Sequence, residues 1–513
     1  MPGLAHPPRV SRQGARAWNL FVALVAGLVH TAGFAPVEAW WLQIGALALV
    51  FWRLRTATTR QAGWLGVGFG LGWLGSGLWW LYISMHRYGG MPAGLAVAAV
   101  VLLALLLSIY TALAFAAFAR WRRDRPMADI LLFAAVWLAA ELARASWLSG
   151  FPWLASGYAH TTGPLAAWAP WMGVYGIGAL AAAAAAALAT AISAGRGGRR
   201  AGVAPAVAMA LLVAAGQLLP QGFTRSTGRL TVSLLQPNVA QDLKFDTERM
   251  VINFERLAHD VAAARGALVV TPESVVPLPL SALDPAQWRR LHQAVSSPGR
   301  AALVGIFMGD DVHGYVNSMV GLSAASDGTG PTAYVYGKQH LLPFGEVIPF
   351  GFRWFVRAMN IPLDDQAQGR NSEPLTLGAQ RLRPLICYED LFGEDIVGSA
   401  VGGRAATIFV NASNLAWFGT RMVQDQHLQF SRMRALEFER PFIRSTNTGA
   451  TTVIDHQGQV VARLPAAEAG TLESEVEGRI GDTPYAAWLS RAGLWPLWAA
   501  AALVIGLAAW RRR

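Results

Sequence analysis

Leu385-Ile-Cys387-Tyr-Glu-Asp390 closes a short apolar run on the only cysteine among 513 residues, and its reading decides the fold. The run that begins at Arg383 has the length of a buried strand, and strand ends are rigid platforms for reactive groups. Two other apolar runs finish in the same way. Val269-Val-Thr-Pro-Glu273-Ser places a carboxylate just past a strand, and Tyr334-Val-Tyr-Gly-Lys338 places an amine there. Further strands are predicted over 230–235, 302–307, 318–322 and 407–410, and helical spacing over 246–265 and 424–439, with Asp246 as an N-cap. Buried strands alternating with polar helices predict a layered α/β domain.

A Glu, a Lys and a Cys that converge can run covalent acyl chemistry. The carboxylate takes the thiol proton, the thiolate attacks a carbonyl, and the ammonium with backbone N–H groups holds the oxyanion. A free thiol has a pKa near 8.5, so it needs a neighbouring base and cation at neutral pH. Each residue alone has a plainer explanation. A buried Cys is usually a small hydrophobe, Glu273 could be a helix N-terminal acid, and Lys338 a surface cation. Their joint occurrence at strand ends favours a catalytic set. Lysine and arginine together number 42, yet lysine stands only at 244 and 338, so a retained lysine implies a task arginine cannot do.

Outside this region the composition is that of a membrane protein. Hydrophobic residues make up 54% and charged residues 14%, against about 25% charge in ordinary globular chains. Apolar runs at roughly 18–35, 37–52, 62–82, 92–118, 128–146, 166–193, 202–219 and 492–510 give about eight spans. The stretch 147–160 reads as interfacial or re-entrant. Glu141 and Arg144 read as an intrahelical i,i+3 pair. Arginine clusters at 9–16, 53–60, 120–125, 196–200 and 511–513 all fall on one side of this arrangement, which predicts cytoplasmic termini and a periplasmic segment between spans seven and eight. The expected division is a transmembrane domain over 1–222 with about seven spans, a catalytic domain over 223–486, and a C-terminal transmembrane helix over 487–513. The net charge of +11 comes from these clusters rather than from one basic face, so no nucleic-acid partner is expected.

The motifs resemble the carbon-nitrogen hydrolase (nitrilase) superfamily: Thr271-Pro-Glu-Ser, Gly337-Lys-Gln-His-Leu-Leu-Pro-Phe-Gly-Glu346 and Ile386-Cys-Tyr-Glu-Asp-Leu-Phe. Asn411-Ala-Ser-Asn-Leu-Ala-Trp-Phe-Gly419, Gln426-His-Leu-Gln and Arg440-Pro-Phe-Ile-Arg-Ser-Thr-Asn-Thr-Gly449 add to it. With the flanking spans, nearly the whole chain is similar to the membrane-bound N-acyltransferases of that superfamily. The resemblance implies an α-β-β-α sandwich beside a polytopic helical membrane domain in the bacterial inner membrane. It implies a base at Glu273, an oxyanion stabiliser at Lys338 and a nucleophile at Cys387, with Glu346 and Glu389 shaping the charge around Lys338 and the thiol, and Tyr388 lining the pocket. It places Phe245, Trp417 and Phe418 in contact with substrate, the last two bordering a lipid entrance. The implied reaction is ping-pong acyl transfer from a membrane phospholipid, through a thioester on Cys387, to the amine of the N-terminal diacylglyceryl-cysteine of apolipoproteins. No cofactor is implied.

The chain departs from the family pattern at Gln236-Pro-Asn-Val with Lys244-Phe245, at Leu415, and at Gln424-Asp-Gln-His, all in substrate-contact segments. The apolar run 349–355 reads either as a lid or as an aromatic membrane anchor. Competing functions are a tethered amidase or nitrilase that hands its acyl group to water, and a scaffold or transporter with an inert domain. The ten histidines show no ligand spacing, so no metal is expected. His340 and His427 read as hydrogen-bonding residues, and the sequon at Asn411 as structural.

Overall fold

Among the described residues, twelve strands in two sheets carry the predicted strand-end residues. The computed structural model describes residues 12–147, 150–194, 199–244, 246–323, 334–348, 351, 353–354 and 365–510. Arg9, Arg196 and 511–513 of the arginine clusters lie outside the described residues.

One sheet holds β1 (Arg225–Gln236), β2 (Leu268–Val270), β3 (Ala301–Asp310), β4 (Gly314–Ser323), β5 (Tyr334–Gly337) and β12 (Gly470–Ile480), in the order β12-β1-β2-β3-β4-β5. The other holds β6 (Leu375–Leu377), β7 (Gln380–Ile386), β8 (Ile408–Ser413), β9 (Phe442–Thr446), β10 (Thr452–Ile454) and β11 (Val460–Arg463), in the order β11-β10-β9-β8-β7-β6. The central β1, β2 and β3 run parallel, as do β7, β8 and β9. The inner parts of these strands are buried on both faces, so most read as apolar runs; β9 is buried through Arg444, Ser445 and Thr446 as well and gives no such run.

Alternation sorts the side chains into layers. Val232, Leu234, Leu268, Val270 and Leu303 point between the sheets with Ile386, Ile408 and Val410. Leu235, Val269, Ala302 and Val304 point outward under two helices, Thr247–Ala263 and Pro285–Ala294. Leu385, Phe409 and Phe442 point the other way, under Val423–Phe438 and Pro484–Ala492. The result is the expected α-β-β-α order. Asp246 caps its helix, accepting from the Arg249 N–H at 3.0 Å.

The helical part comprises α1 (Arg12–Thr31), α2 (Trp40–Leu54), α3 (Thr59–Gly77), α4 (Ala93–Trp121), α5 (Pro126–Ser146), α6 (Ala169–Ser193) and α7 (Arg199–Leu218). In chain order the four helices of the sandwich are α8 to α11, and Trp495–Trp510 is α12. Among the described residues three helical segments are long and apolar enough to cross a bilayer, and α11 with α12, bent by 85°, makes a fourth if counted together. Glycines let α3 touch both neighbours: a Cβ on Gly66 would lie 2.5 Å from the Ala112 Cα, and one on Gly72 2.1 Å from the Leu24 carbonyl oxygen. Arg122 donates to the carbonyls of Leu54 and Ala57, and Arg123 to those of Leu507 and Ala508. These contacts gather the ends of α2, α4 and α12 at one end of the bundle.

Residues 150–160 turn back into the bundle instead of crossing it. Arg144 donates to the carbonyls of Phe151 and Trp153, and the Glu141 carboxylate accepts from the Ser156 N–H. Their ion pair at 4.0 Å is therefore more than the intrahelical contact expected from spacing, since it anchors the returning segment.

Helix α10 joins the two halves and is buried along nearly its whole length. The Gln426 side-chain oxygen accepts from the indoles of Trp80 and Trp153, Gln429 accepts from the Ala35 N–H, and Glu437 accepts from the Val174 N–H. Arg432 pairs with Glu38 at 3.1 Å.

Candidate active site

Each predicted triad residue sits just past a strand, and two of the three turns are strained. Ser274, directly after Glu273, has φ +44°, and Cys387 has φ +54°, both in the left-handed region that non-glycine residues avoid. Gly305 of β3 makes room for the Glu273 turn, since a Cβ there would lie 2.2 Å from the Pro272 carbonyl oxygen and 2.7 Å from the Ser274 nitrogen. The Cys387 carbonyl accepts from the Asn411 amide at 2.7 Å and lies 3.1 Å from His427 Nε2. The Asn411 sequon is thus spent inside the fold, as expected.

Glu273, Lys338 and Glu346 come together in a buried cluster. Lys338 Nζ is 2.6 Å from Glu346 Oε1 and 3.4 Å from Glu273 Oε1. Asn317 Nδ2 donates to Glu273 Oε1 at 2.7 Å, the Asn414 N–H donates to Glu273 Oε2 at 2.9 Å, and the Leu342 N–H donates to Glu346 Oε2 at 2.8 Å. Burial pushes the Lys338 ammonium toward neutrality, but Glu346 and Glu273 outweigh it and hold its pKa well above the usual value. The Cys387 thiol is pushed well up, by burial first and then by the Glu273 charge, with Lys338 opposing. A resting thiol with its proton in place, next to a carboxylate, suits proton removal in step with attack rather than a standing thiolate.

The supporting residues divide. Glu346 contacts Lys338 directly. Glu389 clamps backbone, accepting from the N–H groups of Ile386, Gln339 and His340 and from the Tyr336 hydroxyl; it so ties the Cys387 loop to the Lys338 loop, and its charge also acts on Lys338. Tyr388 is buried, donates to the Leu341 carbonyl at 3.2 Å and stands edge-on to Phe392. Trp417 meets Tyr88 and Phe418 meets Trp80, both edge-on, so this turn bridges to the helical half. Phe245 lies outside the described residues, as do Pro349, Phe350, Phe352 and Phe355 of the run 349–355, while Trp354 is exposed.

The sequence reading missed the polar frame. Asn317 is a lone amide in an apolar strand and Asn414 directly follows β8; both were visible as polar residues in or beside buried runs. Behind Cys387, Asp390 accepts from Arg444 Nη1 at 2.9 Å, from His427 Nε2 at 2.9 Å and from Ser431. Arg444 Nη2 lies 2.9 Å from His427 Nδ1, which makes Nδ1 the acceptor and Nε2 the protonated nitrogen. Burial would raise the Asp390 pKa, but His427 and Arg444 outweigh it and the net shift is down. Its stabilisation is therefore present above an unfolded value of roughly 3.9 and is lost as pH falls through the lower folded value. Asp390→Ala is expected to destabilise the domain by about 3–5 kcal/mol, because it leaves a buried guanidinium unpaired. Denaturant unfolding followed by tryptophan fluorescence measures this, and a loss below about 1 kcal/mol would contradict it.

Residues 26–187 match the family described as apolipoprotein N-acyltransferase N-terminal domain, and residues 231–485 match carbon-nitrogen hydrolase. An apolipoprotein N-acyltransferase of Verminephrobacter eiseniae is 43% identical over 512 residues, covering 93% of this chain and 94% of that protein. One from Ralstonia nicotianae is 44% identical over 499 residues, covering 96% of this chain and 93% of that protein. A solved CN-hydrolase superfamily protein from Xanthomonas campestris aligns with a TM-score of 0.37 at 17% identity, covering 52% of this chain and 96% of that chain. By the identity and coverage of these full-length relatives, the chain belongs to the apolipoprotein N-acyltransferase family.

Proposed function

We propose that this chain moves a fatty acyl group from a membrane phospholipid, through a thioester on Cys387, to the α-amine of an apolipoprotein's N-terminal diacylglyceryl-cysteine. The observation that carries the reading is the buried Glu273, Lys338 and Glu346 cluster acting electrostatically on the sole thiol. The names of the full-length relatives support the substrate classes.

In the first half-reaction Glu273 accepts the Cys387 proton as sulfur attacks the ester carbonyl, and Lys338 faces the oxyanion. Collapse expels the lysophospholipid alkoxide, which takes the proton back from Glu273. In the second, the acceptor amine attacks the thioester, Glu273 takes a proton from nitrogen, and the departing thiolate recovers it. The negative charge moves from the Glu273 carboxylate to the tetrahedral oxyanion and returns through the departing alkoxide or thiolate, while Lys338 and Glu346 keep theirs, so the buried site never changes its net charge.

The membrane arrangement belongs to the same proposal: about eight spans, seven within 1–222 and one within 487–513, around a periplasmic catalytic domain at 223–486, with both termini cytoplasmic in the bacterial inner membrane. Helices α1, α2, α3 and α7 and the bent α11–α12 pair would add to the three long spans, and the arginine contacts that gather α2, α4 and α12 at one end support the orientation. Trp417 and Phe418, set against Tyr88 and Trp80, would border the lipid entrance, and Phe245 would contact substrate.

The test is reconstituted full-length enzyme with vesicles of phospholipid carrying a labelled acyl chain and a synthetic diacylated lipopeptide. Label on the peptide amine is the expected result. Label released only as free fatty acid would replace transfer by hydrolysis.

A further inference from the structure

Both lysines of the chain converge on Glu273. Lys338 holds its carboxylate, at 3.4 Å from Oε1. Lys244, from the segment between β1 and α8, reaches the opposite side: its Nζ is 2.8 Å from Ser274 Oγ and 3.5 Å from the Glu273 carbonyl oxygen. Lys244 is only 6% exposed, and the acyl-transfer steps make no use of it. Its two partners belong to the strained turn, where Ser274 takes φ +44°. A left-handed non-glycine residue persists only where its surroundings over-determine it. The hydroxyl and carbonyl held by one buried ammonium supply that constraint.

We propose that Lys244 is a positioning residue for Glu273: by gripping the Ser274 hydroxyl and the Glu273 carbonyl it fixes the turn that aims the carboxylate at Lys338 and the thiol. The inference rests on the reading of Glu273 as the base. It also accounts for the retention of lysine in a chain that otherwise uses arginine. A compact ammonium on a flexible stem fits a site with two adjacent acceptors, where a planar fork needs more room.

Lys244 also lines a cavity of about 140 Å³ with Glu273, Asn447 and the apolar side chains of Phe254 and Val276. The other charges on that wall are Arg256 and Asp260 of α8, which pair with each other at 3.8 Å. Glu273, whose carboxylate pairs with Lys338, is thus the remaining charge on that wall that Lys244 faces. Burial lowers Lys244 to about 8, with Glu273 opposing the fall. The grip is charged below that pH and weakens above it, so the rate of thioester formation falls as pH rises through about 8.

The experiment is single-turnover formation of the Cys387 thioester by full-length enzyme on vesicles of labelled phospholipid, across pH, for the parent, Lys244→Met, Ser274→Ala, their double variant and Glu273→Gln. Misplacing a catalytic group by about 1 Å can slow a reaction by about 100-fold, so Lys244→Met is expected to be slower by roughly 10–100-fold at unchanged KM. Its alkaline limb near pH 8 should vanish. The double variant should be no slower than the slower single one, because both changes cut the same contact. If Glu273→Gln forms thioester at the parent rate, the base reading fails and this inference with it. If Glu273→Gln is inert while Lys244→Met keeps the parent rate, only the role of Lys244 is overturned. A slow Lys244→Met that retains the alkaline limb, or whose KM rises in step, overturns it as well.

Discussion

Cys387→Ala is expected to abolish acyl transfer while leaving the fold in place. The turn at Cys387 is built by its backbone, whose carbonyl is held by Asn411 and His427, and not by the sulfur. Alanine tolerates φ +54° no worse than cysteine does, and removing one sulfur from a site 8% exposed leaves a void whose stability effect is about 1 kcal/mol. Turnover has no second route, since the sequence holds no other cysteine. Cys387→Ser should be equally inactive: a hydroxyl in this environment, where even the thiol is pushed well up by burial and by Glu273, is far harder to deprotonate. Transfer of label to lipopeptide by either variant at more than a trace would remove Cys387 from the chemistry.

Lys338→Met is expected to have the largest combined effect on rate and stability. Lys338 is 1% exposed and is the cation between Glu273 and Glu346. Without it two carboxylates share one buried site, and one of them takes up a proton. That removes the base for part of the molecules and the oxyanion's charge partner for all of them. Losing one such stabiliser costs about 10²–10³ in rate, and breaking a buried ion pair costs about 3–5 kcal/mol in stability. Adding Glu346→Gln to Lys338→Met separates the two effects. The double variant should regain much of the stability, because the stranded charge is gone, and none of the rate. Denaturant unfolding alongside single-turnover thioester formation reads both, and a double variant that recovered activity would deny Lys338 its role at the oxyanion.

The reacting residues were legible because each follows a short strand, Glu273 and Cys387 after inner strands and Lys338 after the half-buried edge strand β5. The apolar residues of these strands read as short runs, and a Glu, Lys or Cys at the end of one stands out. The frame that aims them was not legible. Asn317, Asn414 and Asp390 act through partners 29 to 141 residues away, which no local pattern signals. The position of Glu389, two residues after Cys387, says nothing of where its oxygens point; the fold spends them on four donors, from Tyr336, Gln339, His340 and Ile386.

Strands at the sheet margins were missed for a different reason. In β12 the run Thr471-Leu-Glu-Ser-Glu-Val-Glu477 carries charge on an exposed face, so its apolar content is too thin to register, and its antiparallel pairing with β1 supplies what the side chains do not. In the helical half, Arg122 and Arg123 of one arginine cluster cap neighbouring helices. The glycines of α3 lowered its apparent hydrophobicity, yet they allow the backbone contacts with α1 and α4. Helix α10 shows the limit most clearly. Spacing alone gives the helix and not its surroundings: Gln426, Gln429, Arg432 and Glu437 are all spent on the helical half.

The central claim is that an acyl chain rests on Cys387 between donor and acceptor. Full-length enzyme incubated with vesicles of acyl-labelled phospholipid, without acceptor, then quenched in acid and digested, tests it by peptide mass. The account predicts one acyl mass on the peptide containing Cys387, discharged when diacylated lipopeptide is added before the quench. Transfer to lipopeptide with no adduct on that peptide at any time point, in enzyme trapped on the transfer timescale, would contradict it.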